Sequence, residues 1–288
     1  MSWQQNNSLN LTPICKNLII INVLVFLLTS SNALPEALTN KLPLHLWGAS
    51  DFMPFQLITY MFMHGSMAHI ALNMLSLWMF GSVLEHFWGA KKFLTYYFVT
   101  GIGGGLLFLL TSYAEIYPFD KKINNFIDNP NQQALTEVVN HERFETFVPI
   151  SCYFGPDNNI CQQYDNFRND IDLARQSPDN SKALNEVAMY LSEAKPYWLN
   201  AIRAVGASGA IFGLLLAFGM MFPDQKIYMY MAIPIKAKYF VVLYGLIELY
   251  MGVVSFTGDN IAHFAHLGGM LFGWILIKKW QSKGKLWW

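Results

Sequence analysis

The sequence predicts an all-α, polytopic membrane protein: six transmembrane helices with a soluble insert between the third and the fourth. Three observations predict it. The chain of 288 residues is 53% hydrophobic and only 13% charged, where a soluble domain carries about 25% charged residues. Its polar residues are clustered, so the charge deficit falls in long apolar runs. Six of those runs approach the roughly 20 residues a helix needs to cross a hydrocarbon core. Lipid offers backbone N–H and C=O groups no partner, so each run must satisfy its own hydrogen bonds as a helix. The formal net charge is zero, and nothing in it points to nucleic acid as a partner.

The first span is placed near 14–33, interrupted by Asn22. Its apolar stretch, Leu18 to Leu28, follows a polar leader with Lys16, and small residues from Thr29 to Ala33 imitate a cleavage site. Five further apolar runs follow, so it reads as a retained helix and not as a cleaved signal. The second and third spans fall near 67–84, with His69 and Asn73 inside, and near 93–112. Residues 113–202 then break the apolar pattern with Asn, Asp, Gln and several prolines; over 113–198 there are thirteen acidic and seven basic residues. So long a connection is expected to carry its own structure, with Gln132–Phe147 and Ser181–Ala194 reading as helical. The remaining spans lie near 203–222, 237–256 and 261–280. The expected organisation is therefore 1–112, 113–202 and 203–288.

Basic residues in short loops set orientation. With the N-terminus inside, Lys16, Lys91, Lys92, Lys226, Lys236, Lys238, Lys278, Lys279, Lys283 and Lys285 all lie inside, and the outside segments keep only Lys41 and Arg203. Both termini are then cytoplasmic and the insert extracytoplasmic, in a multi-pass protein of the cell (inner) membrane. Of the three cysteines, Cys152 and Cys161 fall in the insert, where an oxidising exterior would let them close a short loop, two unpaired thiols being the other reading. Cys15 would stay reduced, and no CxxC or Cys/His zinc spacing is present.

Ionisable groups at membrane depth are expensive and are functional candidates. Three clusters qualify. In His64-Gly-Ser-Met-Ala-His69-Ile-Ala-Leu-Asn73, His69 and Asn73 are four apart and share a helix face. Together they could donate to a forming oxyanion, or they could simply tie helices together. Gly206-Ala-Ser208-Gly209 opens the fourth span, putting Ser208 near a helix N-terminus where negative charge is favoured. Gly209 and Gly213 are spaced for close helix contact, so the same residues also admit a plain packing reading. In Ala262-His263-Phe-Ala-His266-Leu-Gly-Gly269, Gly269 and Gly273 share the His266 face. A helix packed on that face against the fourth span could bring His266 to Ser208 and activate it as a nucleophile. His263 reads as a packing or interfacial residue. His69, Ser208 and His266 sit at one depth, a few residues from the outer ends of their spans, and could share one shallow pocket.

These motifs resemble the rhomboid family of intramembrane serine proteases. Asn22-Val-Leu-Val-Phe26 and Leu84-Glu-His-Phe-Trp-Gly89, with the basic pair after it, are also similar to the family's stretches in the first span and after the second. The resemblance covers about 200 residues, roughly 14–112 and 203–280. It implies a six-helix rhomboid bundle and a serine endopeptidase that cuts transmembrane proteins near the outer membrane face, without cofactor or metal. It implies Ser208 as nucleophile and His266 as general base, a pair with no required carboxylate. The Ser208 N–H, His69 and Asn73 would form the oxyanion hole. Gly206 would shape the serine turn, with Gly209, Gly269 and His64 in support. The fifth span and the loop after it, 237–256 and 257–262, would act as lateral gate and cap.

The sequence departs from the family in two places. The loop before the second span reads Pro54-Phe55-Gln56-Leu57 where the family often has Trp-Arg, and the insert stands where a short connection is usual. Other readings are a metalloenzyme using His64, His69, His263 and His266, an inactive rhomboid-like protein that binds transmembrane clients, and a transporter. Zinc sites favour a carboxylate or thiolate beside histidine, and the sequence shows neither near these clusters. The halves show no paired broken segments of the transporter kind.

Overall fold

The computed structural model of the chain describes residues 10–31, 33–147, 164–178, 180–229, 233–254 and 260–284. Cys152 and Cys161, and most of the loop after the fifth span, lie outside them. The chain is an all-α polytopic bundle in two compact units, one of residues 1–44, 53–111 and 204–288, the other of residues 45–52 and 112–203.

The first unit begins with α1 (Pro13–Ser30), whose fixed proline φ suits its first turn. Thr12 at its N-cap makes no capping bond to its own helix. The cap comes instead from Glu85, 70 residues on. Its carboxylate accepts the N–H groups of Ile14 at 3.0 Å and Cys15 at 2.9 Å and the Thr12 hydroxyl. A carboxylate at a helix N-terminus satisfies free donors and complements the dipole, which gives the Leu84–Gly89 motif a structural task. Asn22, midway along α1, is fully buried and returns its amide to the Leu18 carbonyl at 2.7 Å.

Helix α2 (Met67–Trp88) starts at Ser66, whose side chain accepts from the His69 N–H, passes through a π-helical stretch at Leu77–Gly81 and stops at Gly89, φ +76°. The loop before it is pinned from within. Gln56 is fully buried, accepts from the Met53 N–H at 3.1 Å and donates to the Lys41 carbonyl at 3.0 Å.

Helix α3 (Ala90–Asp128) runs on past the expected end of the third span near 112, while its part in the first unit ends at Thr111. No glycine or asparagine cap interrupts 112–117, and Ile116, Phe119, Ile123 and Phe126 repeat at helical spacing with buried side chains. Pro118 is accommodated inside the helix.

The second unit continues with α4 (Gln132–Val139), α5 (Tyr164–Gln176) and α6 (Ser181–Ala201). Asn131 and Asn180 cap α4 and α6 through their side chains. The core is aromatic: Phe119 packs on His141, Phe147 and Trp198 with centroids 4.7, 6.0 and 5.4 Å away, and Phe167 stacks on Tyr190 at 4.0 Å.

The first unit resumes with α7 (Ser208–Met221), the hairpin β1 (Lys226–Met229) and β2 (Ile233–Lys236), α8 (Ala237–Val254) and α9 (Asn260–Ser282). Lys236 and Lys238 meet Asp224 at 3.0 and 2.9 Å. Helices α3, α7 and α9 touch through glycine. A Cβ on Gly104 would lie 2.6 Å from the Ala265 carbonyl oxygen, and one on Gly269 would enter the Gly209 carbonyl itself. Small residues let backbones meet where no hydrophobic force drives helices together in lipid.

Among the described residues, four helices, α1, α2, α3 and α8, are long and apolar enough to cross a membrane by length and composition. The fourth predicted span is corrected: α7 is apolar but 14 residues long and starts at Ser208, not at 203. Gly206, at φ +122°, breaks the chain direction just before it.

Candidate active site

Ser208 is the first residue of α7, after the turn at Gly206. The Gly206 N–H donates to the Tyr60 carbonyl at 2.9 Å, and the Tyr60 hydroxyl donates to the Gly101 carbonyl at 2.6 Å, so the turn hangs on α3 through Tyr60. Only glycine fits here. Its φ is left-handed, and a Cβ would press on the His69 ring, 2.7 Å from Nε2, and lie 3.6 Å from Ser208 Oγ. The same measurement puts the His69 imidazole beside the serine turn.

His266 of α9 reaches Ser208. Its Nε2 lies 2.8 Å from Oγ, the reach required between a base and a serine nucleophile. The contact between Gly269 and Gly209 brings the two backbones close enough for it. Phe212, one turn after Ser208, stacks on the His266 ring with centroids 4.2 Å apart and planes 7° from parallel. The ring is thereby held flat.

The side chain of Asn73 is buried, and its Nδ2 has no hydrogen-bond partner among the described residues. An unspent buried donor is costly unless something else is to be bound. His64 packs edge-on to His69 with centroids 5.0 Å apart. Burial, with His69 beside it, pushes the His64 imidazole down to about 4, so it brings no charge to the site at neutral pH.

The sequence reading missed Glu248. This carboxylate of α8 accepts from His266 Nδ1 at 2.9 Å and from His263 Nδ1 at 2.7 Å through one oxygen, Oε2. The expectation that no carboxylate stands near the histidine clusters is therefore wrong, and His263 is a partner of Glu248 where simple packing was expected. A signal was available: Glu248 is the one acidic residue of an apolar helix, and Gly245 and Gly252 lie three residues before and four after it. Both glycines face α9, where added Cβ atoms would touch Met270 and His263 at 3.4 Å. The glutamate thus lies on the packed face.

Glu248, His263 and His266 also group their ligand atoms within 4.8 Å, as a metal site would. Zinc, with bonds of about 2.0–2.1 Å in a tetrahedron, spaces its ligand atoms roughly 3.3 Å apart. The observed 2.7 and 2.9 Å are hydrogen-bond separations. His64 and His69 are not in that group.

Fold and site define a polytopic α-helical membrane protein with a serine–histidine contact at the head of a short helix. The rhomboid domain model matches residues 51–117 and 182–280, and the chain belongs to the rhomboid family. The two stretches leave out 118–181, which lie in the insert. The chain is also similar to an uncharacterized mitochondrial rhomboid protein of Schizosaccharomyces pombe, 22% identical over 221 residues. That similarity covers 75% of this chain and 48% of the yeast protein, so the chain spans about half the length of that relative. No solved structure matches the chain.

Proposed function

We propose that the chain is an intramembrane serine endopeptidase that cleaves transmembrane-helix substrates through an acyl-enzyme. The 2.8 Å contact between Ser208 Oγ and His266 Nε2 carries this reading. A substrate helix hides its carbonyls in its own hydrogen bonds, so it must unwind locally before attack. The Ser208 hydroxyl then adds to the carbonyl carbon while its proton passes to His266 Nε2. The oxyanion is received by the Ser208 N–H at the start of α7, by His69 and by the free amide of Asn73. His266 returns the proton to the leaving nitrogen as the C–N bond breaks, and water releases the acyl group.

The length of α7 supports a site below the membrane surface. Fourteen residues rise about 21 Å against a hydrocarbon core of about 30 Å. Lateral access beside α8 is supported by its loose burial: Val242, Leu246, Tyr250 and Val253 are exposed and apolar. The lysine distribution supports cytoplasmic termini, an extracytoplasmic insert over 113–202 and cleavage near the outer face. In the other reading, an inactive rhomboid-like protein binds transmembrane clients; the intact serine–histidine pair speaks against it.

The test uses protein in liposomes with a transmembrane substrate and a fluorophosphonate probe. Wild type labels and cleaves; Ser208→Ala and His266→Ala insert and fold but do neither. Full cleavage by Ser208→Ala rejects the assignment.

A further inference from the structure

We propose that Glu248 is a positioning residue that selects the reactive tautomer of His266, making the site a three-member relay from α7, α9 and α8. The proposal rests on the serine-protease reading above. Ser208 Oγ, His266 Nε2, His266 Nδ1 and Glu248 Oε2 follow one another at 2.8 and 2.9 Å across the ring. A carboxylate can only accept, so His266 must present its N–H at Nδ1. A neutral imidazole has a single N–H. The Nε2 facing Ser208 therefore carries the lone pair, as a base must. Without the carboxylate, the opposite tautomer would put a hydrogen on Nε2 and leave the serine proton no acceptor.

His263 completes the device. Its Nδ1 donates to the same Oε2 at 2.7 Å, so the carboxylate is held between two rings and cannot turn away. The Glu248 side chain is about 10% exposed, and an ionised group so placed needs such partners. When Ser208 Oγ bonds to the substrate carbonyl, the proton goes to Nε2 and the carbonyl electron pair moves onto oxygen. Nδ1–H stays on His266 throughout, and the Glu248 charge balances the imidazolium. Phe212 fixes the plane of the ring; Glu248 fixes its proton.

The test compares cleavage kinetics of wild type, Glu248→Gln, Glu248→Asp and Ser208→Ala in liposomes, with melting of each variant as a folding control. In soluble triad proteases, amide replacement of the buried acid lowers kcat by about 10⁴-fold. Glu248→Gln is expected to lower kcat by about 10²–10⁴-fold, to change KM by less than about threefold and to melt close to wild type. Glu248→Asp should regain part of kcat. Wild-type kcat in Glu248→Gln, with Ser208→Ala inactive, overturns the proposal and leaves the protease reading standing. Activity in Ser208→Ala instead sinks the protease reading. A measurement on the unaltered chain guards against a variant that fails to fold. With ¹⁵N-labelled imidazoles, His266 should be protonated at Nδ1 and bare at Nε2, and an Nε2-protonated ring overturns the proposal.

Discussion

The two units of this chain hold together by different means. The insert unit is packed as soluble domains are: Phe119, Phe147 and Trp198 interlock, and ion pairs such as Lys195 with Asp120 at 2.9 Å close its rim. The membrane unit meets backbone to backbone through Gly104, Gly209 and Gly269. Two of its carboxylate side chains, Glu85 and Glu248, are each bound to specific donors. In lipid, burial of apolar surface adds nothing between helices, so closeness and polar bonds must supply cohesion. A methyl group is therefore an obstacle in one unit and a source of stability in the other.

The largest effect that would break this comparison comes from Gly269→Val. The new side chain would occupy the Gly209 carbonyl, and overpacking of this kind costs more than about 3 kcal/mol. Loss of cooperative melting in detergent and of probe labelling is expected; a variant with wild-type melting would show that α7 and α9 can separate freely.

Removal of a proposed oxyanion donor comes next. His69→Ala and Asn73→Ala should each lower kcat by about 10²–10³-fold, or about 2.7–4 kcal/mol of barrier, with melting preserved. Unchanged kcat in both would mean that the free Asn73 amide and the His69 ring serve packing alone.

Phe119→Ala sharpens the contrast from the other side. Truncating this fully buried ring should cost the insert about 3–5 kcal/mol, read by hydrogen exchange over 164–201. Exchange in α7 and α9 should stay at wild-type rates.

The smallest effect concerns Asp224. The ammonium groups of Lys238 and Lys236 hold its carboxyl below the usual range. A carboxyl depressed in the folded state stabilises above its unfolded value, near 4, and that contribution is lost as pH falls through the folded value. Melting of wild type and Asp224→Asn should differ slightly at pH 7 and converge in acid; a constant gap would remove the ion pairs from the account.

Much of the site was legible because its parts are local. The glycine–serine turn, the histidine–asparagine pair four residues apart and the histidine with glycines on its own face follow from spacing along one helix. The seven-residue aromatic and aliphatic periodicity past residue 112 was legible too, yet it was obscured by Pro118 and by the polar residues around it. For that reason the helix, which runs to Asp128, was not read beyond the span. Glu85 and Glu248 are a different case, since their partners are 70 and 15–18 residues distant.

The sequence alone determined that the chain is a helical membrane protein, and it singled out a serine, two histidines and an asparagine in or beside its apolar helices. It could do so because hydrocarbon forces helices, and a helix of known pitch fixes which residues share a face. Tertiary structure decided which acid serves which histidine, where the serine helix begins and which glycines touch. Those are distances between separate helices, and they depend on how closely two backbones can approach.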